Sequence, residues 1–395
     1  MRERLLIVDT GLRKIFHIIT SLDVGGAEAM LEKLVLGIDR SRFQSEVVAL
    51  TALGTIGRRI AASGVNVRDL RMSPGRPDPR AFGRLARWIH RARPDVVQTW
   101  MYHADLVGGL AARVAYGAPV IWGIRGSFDP VKSKRHMIWT ARACAALSTV
   151  VPREIVSCST ALAEAHVDLG YDARRIRVIP NGFDTSVYLP DAAARASVRA
   201  ELRIAPDTPL VGHLARWDPQ KDHAGFVEAA LRVAQQHPNA HFVMCGTGIE
   251  AGNEAVLAPI RRSGAGERFH LLGRRDDTPR VTAALDVLVY SSIYGEGFPN
   301  VLGEAMACAV PCVTTDVGDS AMVVGDTGRV TPAHDPVALG SAIVAVLELG
   351  SEDRAALGRT ARRRVEEHFA LHRVVAMFES LYGEVTDGVR HRRLR

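Results

Sequence analysis

No apolar run in this sequence approaches the ~18 residues that a membrane-crossing helix needs, so no transmembrane span is expected. The opening residues, Met1 to Asp9, are basic and then apolar, in a run too short for a signal peptide. Cysteine is scarce. The five (Cys144, Cys158, Cys245, Cys308, Cys312) are odd in number and scattered, and none forms a CxxC pair. Cys308-x3-Cys312 has no second ligand pair beside it. These absences argue against a disulfide framework and against a metal site, and favour reduced core thiols in a cytoplasmic protein.

What is present is ordinary globular material, 47% hydrophobic and 24% charged, in a chain of 395 residues, a length that suggests two domains. The charge is uneven. Residues 1–180 carry 27 Lys and Arg against 16 Asp and Glu, while the rest carry 23 against 27. A basic first half suits nucleic acid, an anionic membrane or an anionic acceptor such as a lipid diphosphate. For any single arginine, a solvated surface is the plainer reading. Arg80, Arg84, Arg87 and Arg91 recur at helical spacing beside an apolar stripe of Phe82, Leu85, Trp88 and Ile89. The short apolar face favours an ordinary amphipathic helix over one lying on a membrane.

Strands alternate with helices throughout. Strand patterns fall at 14–19, 47–50, 65–67, 95–100, 119–124, 155–159 and from 176, then at 210–216, 240–245, 269–272, 287–290, 311–316 and 328–330. The stretch 191–209, with its Ala, Pro and Asp, reads as the passage between domains. This alternation predicts two doubly wound α/β domains, at 1–188 and 189–371, facing each other across a cleft, with binding residues on the loops after the strands.

The densest stretch runs from Tyr290 to Ala307. A short buried strand leads into a loop shaped by Gly295, Gly297 and Pro299, and a helix opens at Asn300. Glu296 lies in the loop and Glu304 one turn into the helix. Unpaired N–H groups in the first turn suit an anion such as a diphosphate. A carboxylate in the same turn can accept both hydroxyls of a ribose. Most such corners carry only solvated glutamates, so the weight rests on the number of special residues gathered here. Two further turns belong with it. Gly25-Gly26 follows the first strand and lets a helix start approach a ligand. Arg216 and Lys221 place two cations in one loop after the strand at 210–216, where they could stabilise charge on a departing phosphate. Gly246-Thr-Gly248-Ile-Glu-Ala251 fits a dinucleotide pattern, but the next strand ends in Gly273-Arg274-Arg275 instead of an acid, so no nicotinamide cofactor is expected.

The run Glu296-Gly297-Phe298-Pro299-Asn300-Val301-Leu302-Gly303-Glu304, continuing through Pro311, Val313 to Gly318 and Asp326 to Gly328, resembles the donor-site signature of the retaining glycosyltransferases of family 4, whose fold is GT-B. The likeness covers most of the chain. It implies a sugar moved from a nucleotide diphosphate donor, such as a UDP- or GDP-sugar, to an acceptor hydroxyl. It implies Glu304 on the ribose, and Glu296 with Gly297, Phe298, Pro299, Asn300 and Val301 on the sugar and phosphates. Arg216 and Lys221 stabilise the leaving diphosphate, and Gly25 and Gly26 close the other side. Asn181, in Pro180-Asn181-Gly182-Phe183, sits where the family's first domain ends. Gly246 and Arg275 fall on the nucleotide side. Similar enzymes need no bound metal or cofactor, and their last helix, here from about 372, crosses back to the first domain. Family members often carry a histidine at the end of each strand at 95–100 and 119–124. Here Trp100 and Arg125 stand there, with His103 just beyond. Arg125 is no base near neutral pH but could clamp a phosphate or sugar oxygen. Front-face attack, with a donor phosphate oxygen taking the acceptor proton, does not require those histidines. The expected partners are the donor and a sugar or lipid-linked sugar acceptor, with peripheral contact to an anionic membrane and no nucleic acid. Two alternatives stand beside this reading: a nucleotide-sugar epimerase, for which no acid/base set is evident, and a non-catalytic nucleotide-sugar binder.

Overall fold

The computed structural model describes residues 11–73, 76, 78–126, 135–250 and 252–393. They form two compact units. One gathers the chain up to Cys158, Leu162–Ile179 and everything from Val374 on; the other holds Ser159–Ala161 and Pro180–Arg373.

The first unit is a parallel sheet of seven strands: β1 (Arg13–Ile19), β2 (Phe43–Ala49), β3 (Asn66–Asp69), β4 (Val96–Trp100), β5 (Val120–Ile124), β6 (Glu154–Ser157) and β7 (Ile176–Val178), in the order β3-β2-β1-β4-β5-β6-β7. Every residue of β4 and β5 is buried. Helices cover both faces of such a sheet, which is why β5 reads as an unbroken apolar run and why even Gln98 and Thr99 of β4 are buried. Ile19 pairs opposite Trp100, so β1 and β4 end side by side where the strand order reverses. The helix Leu371–Arg393 packs on this unit from Val374 onward. Its Phe378 ring stacks on Trp100, and its Tyr382 hydroxyl donates to Gln98 Oε1 at 2.6 Å.

The second unit is a parallel sheet of six: β8 (Leu210–Leu214), β9 (His241–Cys245), β10 (Phe269–Leu271), β11 (Val287–Tyr290), β12 (Cys312–Thr315) and β13 (Gly328–Thr331), ordered β10-β9-β8-β11-β12-β13. Val211, Phe242, Met244, Val287, Val289 and Val313 meet Phe226 and Ile343 from the helices in its core. Each such side chain contributes about 1.5–3 kcal/mol of burial. The order again reverses once, between β8 and β11, and in open α/β sheets that reversal is where ligands bind.

All thirteen strands lie where the sequence places them, with ends shifted by up to four residues. The stretch 191–209 differs. It contains a helix, Ala192–Glu201, whose start is capped by the Asp191 carboxylate on the Ala194 N–H. Alanine is the strongest helix former and aspartate a strong cap, so the composition that resembled a connector is that of a short capped helix. It is tied into the second unit by buried Arg199, whose guanidinium lies 2.6 Å from Asp286.

The arginine-rich helix is Pro79–Ala92. It buries Ala81, Leu85 and Ile89, and half-buried Trp88 lies under Arg68 and Arg84. Its apolar stripe is used inside the unit. Among the described residues no helix is long and apolar enough to cross a membrane.

Candidate functional site

The chain leaves β8 through Ala215, Arg216, Trp217 and Asp218, makes a 3₁₀ turn at Pro219–Lys221, and enters the helix His223–Gln236. It leaves β11 through 291–299 and enters the helix Asn300–Ala307. Because β8 and β11 are neighbours, the two loops meet at the reversal point. The Ile293 N–H donates to Gln220 O at 2.9 Å, and the Ser291 hydroxyl donates to Lys221 O at 2.8 Å. Lys221 Nζ lies 2.5 Å from Glu296 Oε1, and the Ser292 hydroxyl donates to the same oxygen at 3.0 Å. The ammonium also sits 5.3 Å over the Tyr290 ring. With side chains only 16% and 11% exposed, Lys221 and Glu296 form a mostly desolvated pair. Arg216 stays out at the mouth, 63% exposed, 2.9 Å from Asp218. Burial works to raise the Asp218 carboxyl, but the Gln220 N–H and the Arg216 guanidinium outweigh it and hold it below the usual range.

Glu304 lies one turn into its helix, half-buried, beside Tyr188. Burial and then the Glu304 charge push the Tyr188 phenol well above its ordinary value. Its oxygen lies 3.3 Å from Thr278 Oγ1. At the helix start, Asn181 donates to Asn300 Oδ1 at 2.8 Å. Phe298 stacks on Phe183 and meets Phe369 edge-to-face, with ring centres 6.0 and 5.5 Å away, and both Phe298 and Pro299 are buried. At these two positions the loop offers a ligand backbone, not side chain. Gly297 and Val301 are half-buried.

Two glycines hold these loops in place. Gly318, at φ +62°, lies so close that a Cβ would be 2.6 Å from Glu296 O, and the next N–H, of Asp319, donates to Gly297 O at 2.9 Å. Gly246, at φ +154°, would put a Cβ 2.1 Å from Ala215 O. Gly246 therefore underlies the Arg216 loop. Arg275 lies in an ion cluster with Asp277 at 2.7 Å and Glu201 at 2.6 Å, closed by Arg280. Its hydrogen bonds hold Asp277 far below the usual carboxylate range.

In the first unit, Gly25 precedes the helix Gly26–Gly37, and the Glu28 carboxylate folds back beneath it. Burial, with a smaller push from Asp23, raises that carboxyl. Arg125 follows β5, its guanidinium 4.5 Å over Trp100 and 5.6 Å over Phe378. His103 lies 5.5 Å from His136, and burial, then that neighbour, lowers its pKa. The structure thus joins Lys221 to Glu296 and, separately, Asn181 to Asn300 in direct contacts, with Arg216 and Glu304 on the flanking elements. Tyr188, Ser291 and Ser292 join them without any sequence signal of their own beyond Ser291 and Ser292 lying inside the dense stretch, and Gly318, the end of the run from Val313 that carries the resemblance, joins them as the support under the Glu296 carbonyl. Among the described residues no three His, Cys, Asp or Glu side chains are grouped to hold a metal ion.

Comparison with known proteins bears on both units. Residues 24–187 match the model described as Glycosyltransferase Family 4, and residues 208–349 that described as Glycosyl transferases group 1. EpsF of Bacillus subtilis is 24% identical over 402 residues, covering 92% of this chain and 93% of that one. An Escherichia coli enzyme, UDP-Gal:alpha-D-GlcNAc-diphosphoundecaprenol alpha-1,3-galactosyltransferase, is 25% identical over 324 residues, 77% of this chain and 79% of its own. Among solved structures, HepE of Anabaena in complex with UDP superposes with a TM-score of 0.82 at 22% identity, covering 94% of this chain and all of that one.

Proposed function

The chain belongs to the group 1, family 4 glycosyltransferases and has their GT-B fold, and on that premise we propose that it moves a sugar, with retention, from a nucleoside diphosphate donor to an acceptor hydroxyl. The observation that carries the donor assignment is the Lys221–Glu296 contact at the reversal between β8 and β11. A carboxylate that can accept sugar hydroxyls and an ammonium that can meet a phosphate are held within one hydrogen bond of each other, beside a helix start.

Glu304 takes the ribose, the N–H groups opening the Asn300–Ala307 helix take phosphate oxygens, and Glu296 takes the sugar. The bond from the sugar's anomeric carbon to the β-phosphate oxygen breaks, and its electron pair stays on the diphosphate. Lys221 and Arg216 stabilise that charge without the reorganisation water would need. The acceptor oxygen bonds to the same face of the anomeric carbon, and its proton passes to a donor phosphate oxygen. Because these side chains supply the positive charge, no metal is needed, and activity should persist in EDTA.

HepE is known with UDP and with UDP-glucose, and the Escherichia coli relative is named for UDP-Gal and a diphosphoundecaprenol acceptor. These relatives favour a UDP-sugar here and a lipid-linked acceptor, in assembly of a surface polysaccharide. The basic first half suits the diphosphate of such an acceptor.

The test is thermal shift and donor hydrolysis with UDP-, GDP- and ADP-sugars. One donor should stabilise the wild type and be slowly hydrolysed. Lys221→Ala should lower the rate about 100- to 1,000-fold, and Glu304→Ala should abolish the stabilisation. A donor that binds but is never cleaved, even with membrane extract as acceptor, would mark a binder. No stabilisation by any nucleotide-sugar would remove the donor site.

A further inference from the structure

We propose that His213 and Ser291 are positioning residues for Lys221: a buried relay, from His213 Nε2–H to the Ser291 hydroxyl to the Lys221 carbonyl, fixes the backbone from which the ammonium reaches the departing diphosphate. This rests on the donor assignment above and extends it inward.

The direction of the relay follows from counting protons. Ser291 Oγ lies 2.8 Å from Lys221 O and 3.3 Å from Asp222 O. Both are carbonyls and can only accept, so the single hydroxyl proton goes to them. His213 Nε2, 2.9 Å from the same Oγ, must therefore donate. That fixes the tautomer, and His213 Nδ1 has no hydrogen-bond partner among the described residues. The ring is 2% exposed. Burial, then His223 and Lys221, push its pKa well below the ordinary value, so it stays neutral. A neutral, buried imidazole with its one proton committed to a serine is no acid or base for a substrate. Its reach ends at the main chain of Lys221.

His223 supports the other end of the same loop, with Nε2 3.4 Å from Ala215 O and its ring 4.7 Å from His213 and 4.9 Å from Trp217. Between the two anchors, Asp222 takes a left-handed conformation, φ +45°, that a residue with a Cβ holds only where its surroundings enforce it. Ser291 is also the first residue after β11, five residues before Glu296. One hydroxyl thus registers the Lys221 loop against the Glu296 loop.

The experiment uses the full chain with Ser291→Ala, His213→Leu and His213→Gln, the first also in a Lys221→Ala background. The readouts are Tm, UDP affinity, and kcat and KM with the nucleotide-sugar the wild type hydrolyses. A shift of about 1 Å at a reacting group can cost about 100-fold, so Ser291→Ala and His213→Leu should lower kcat about 10- to 100-fold with far smaller changes in UDP affinity. In His213→Gln the amide N–H stands in for Nε2–H and should restore most of kcat. Ser291→Ala should add nothing once Lys221 is alanine. A wild-type kcat in Ser291→Ala, or a full further loss in the Lys221→Ala background, overturns the proposal. If the wild type turns over no nucleotide-sugar, the functional reading fails by itself. The relay is then judged by a crystal structure of Ser291→Ala or, if that variant does not fold, of His213→Gln beside His213→Leu: displacement of Lys221 Nζ from Glu296 on loss of the donor supports it, and an unmoved pair overturns it.

Discussion

Lys221 and Glu296 compensate each other before any ligand arrives. A mostly desolvated pair of this kind is costly to break from one side only, because the remaining charge keeps its burial and loses its partner. The pair therefore presents charge of both signs in fixed positions, which fits the proposed sugar diphosphate donor with its hydroxyls and phosphates. Gly318 tests how finely Glu296 is placed. At φ +62° an alanine costs about 1–2 kcal/mol by itself, and its Cβ presses on the Glu296 carbonyl. Gly318→Ala should lower Tm by a few degrees and lower kcat about tenfold or more, measured by thermal shift and donor hydrolysis. A variant with lowered Tm and unchanged kcat would show that the Glu296 loop tolerates the displacement.

At the scale of elements, the helix Asn300–Ala307 is aimed by what lies beneath its entry. Phe298 is 7% exposed between Phe183 and Phe369. Phe298→Ala leaves a cavity and should destabilise the second unit by about 3–5 kcal/mol, read from denaturant unfolding. A loss under about 1 kcal/mol would show that the corner collapses to fill it. The helix Ala192–Glu201 is held the same way by charge instead of rings. Asp286 faces both Arg195 and Arg199 and also accepts from the Leu210 N–H at the start of β8. Asp286→Ala leaves the buried Arg199 guanidinium with carbonyl partners but no counter-charge and should cost about 3–5 kcal/mol, in a second unit whose donor affinity is unchanged when it is folded.

Over the whole molecule, several histidines are buried neutral. Burial pushes His17 down to about 3 and His223 down to about 4, and His213 lies well below its ordinary 6.5. Unfolding lets each take a proton, so each stabilises the fold above 6.5 and loses that contribution as pH falls toward its folded value. Asp105 runs the other way. Burial raises it to about 8, so acid favours its folded, protonated form. The lowered imidazoles, with His103, His166, His241 and His270 beside these three, outnumber the raised carboxyls Asp105, Glu28 and Glu154 and set the sign: Tm should fall between pH 6.5 and pH 5, and Asp105→Asn should steepen the fall. A Tm that rises over that interval would contradict the burial of these rings.

The strands were legible because their apolar runs survive one residue at a time, and Glu296, Glu304, Arg216 and Lys221 stood out because chemistry-bearing side chains cluster at strand ends. The helix at 192–201 was not legible as such, since alanine, proline and aspartate serve a linker and a capped helix alike. Phe298 and Pro299 looked like ligand contacts in the sequence and are buried in the structure; nothing in a linear string separates a ring under a loop from a ring on it. By itself the sequence determined the alternation of strand and helix, the two units, the family and which residues are candidates to meet the proposed donor, because periodicity and residue chemistry are local properties. Only the tertiary structure decided which of those residues touch. Lys221 lies 75 positions from Glu296, and Ser291 lies 78 from His213. They meet because β8 and β11 pair across the point where the sheet reverses its winding, and that adjacency is a property of the packed sheet alone.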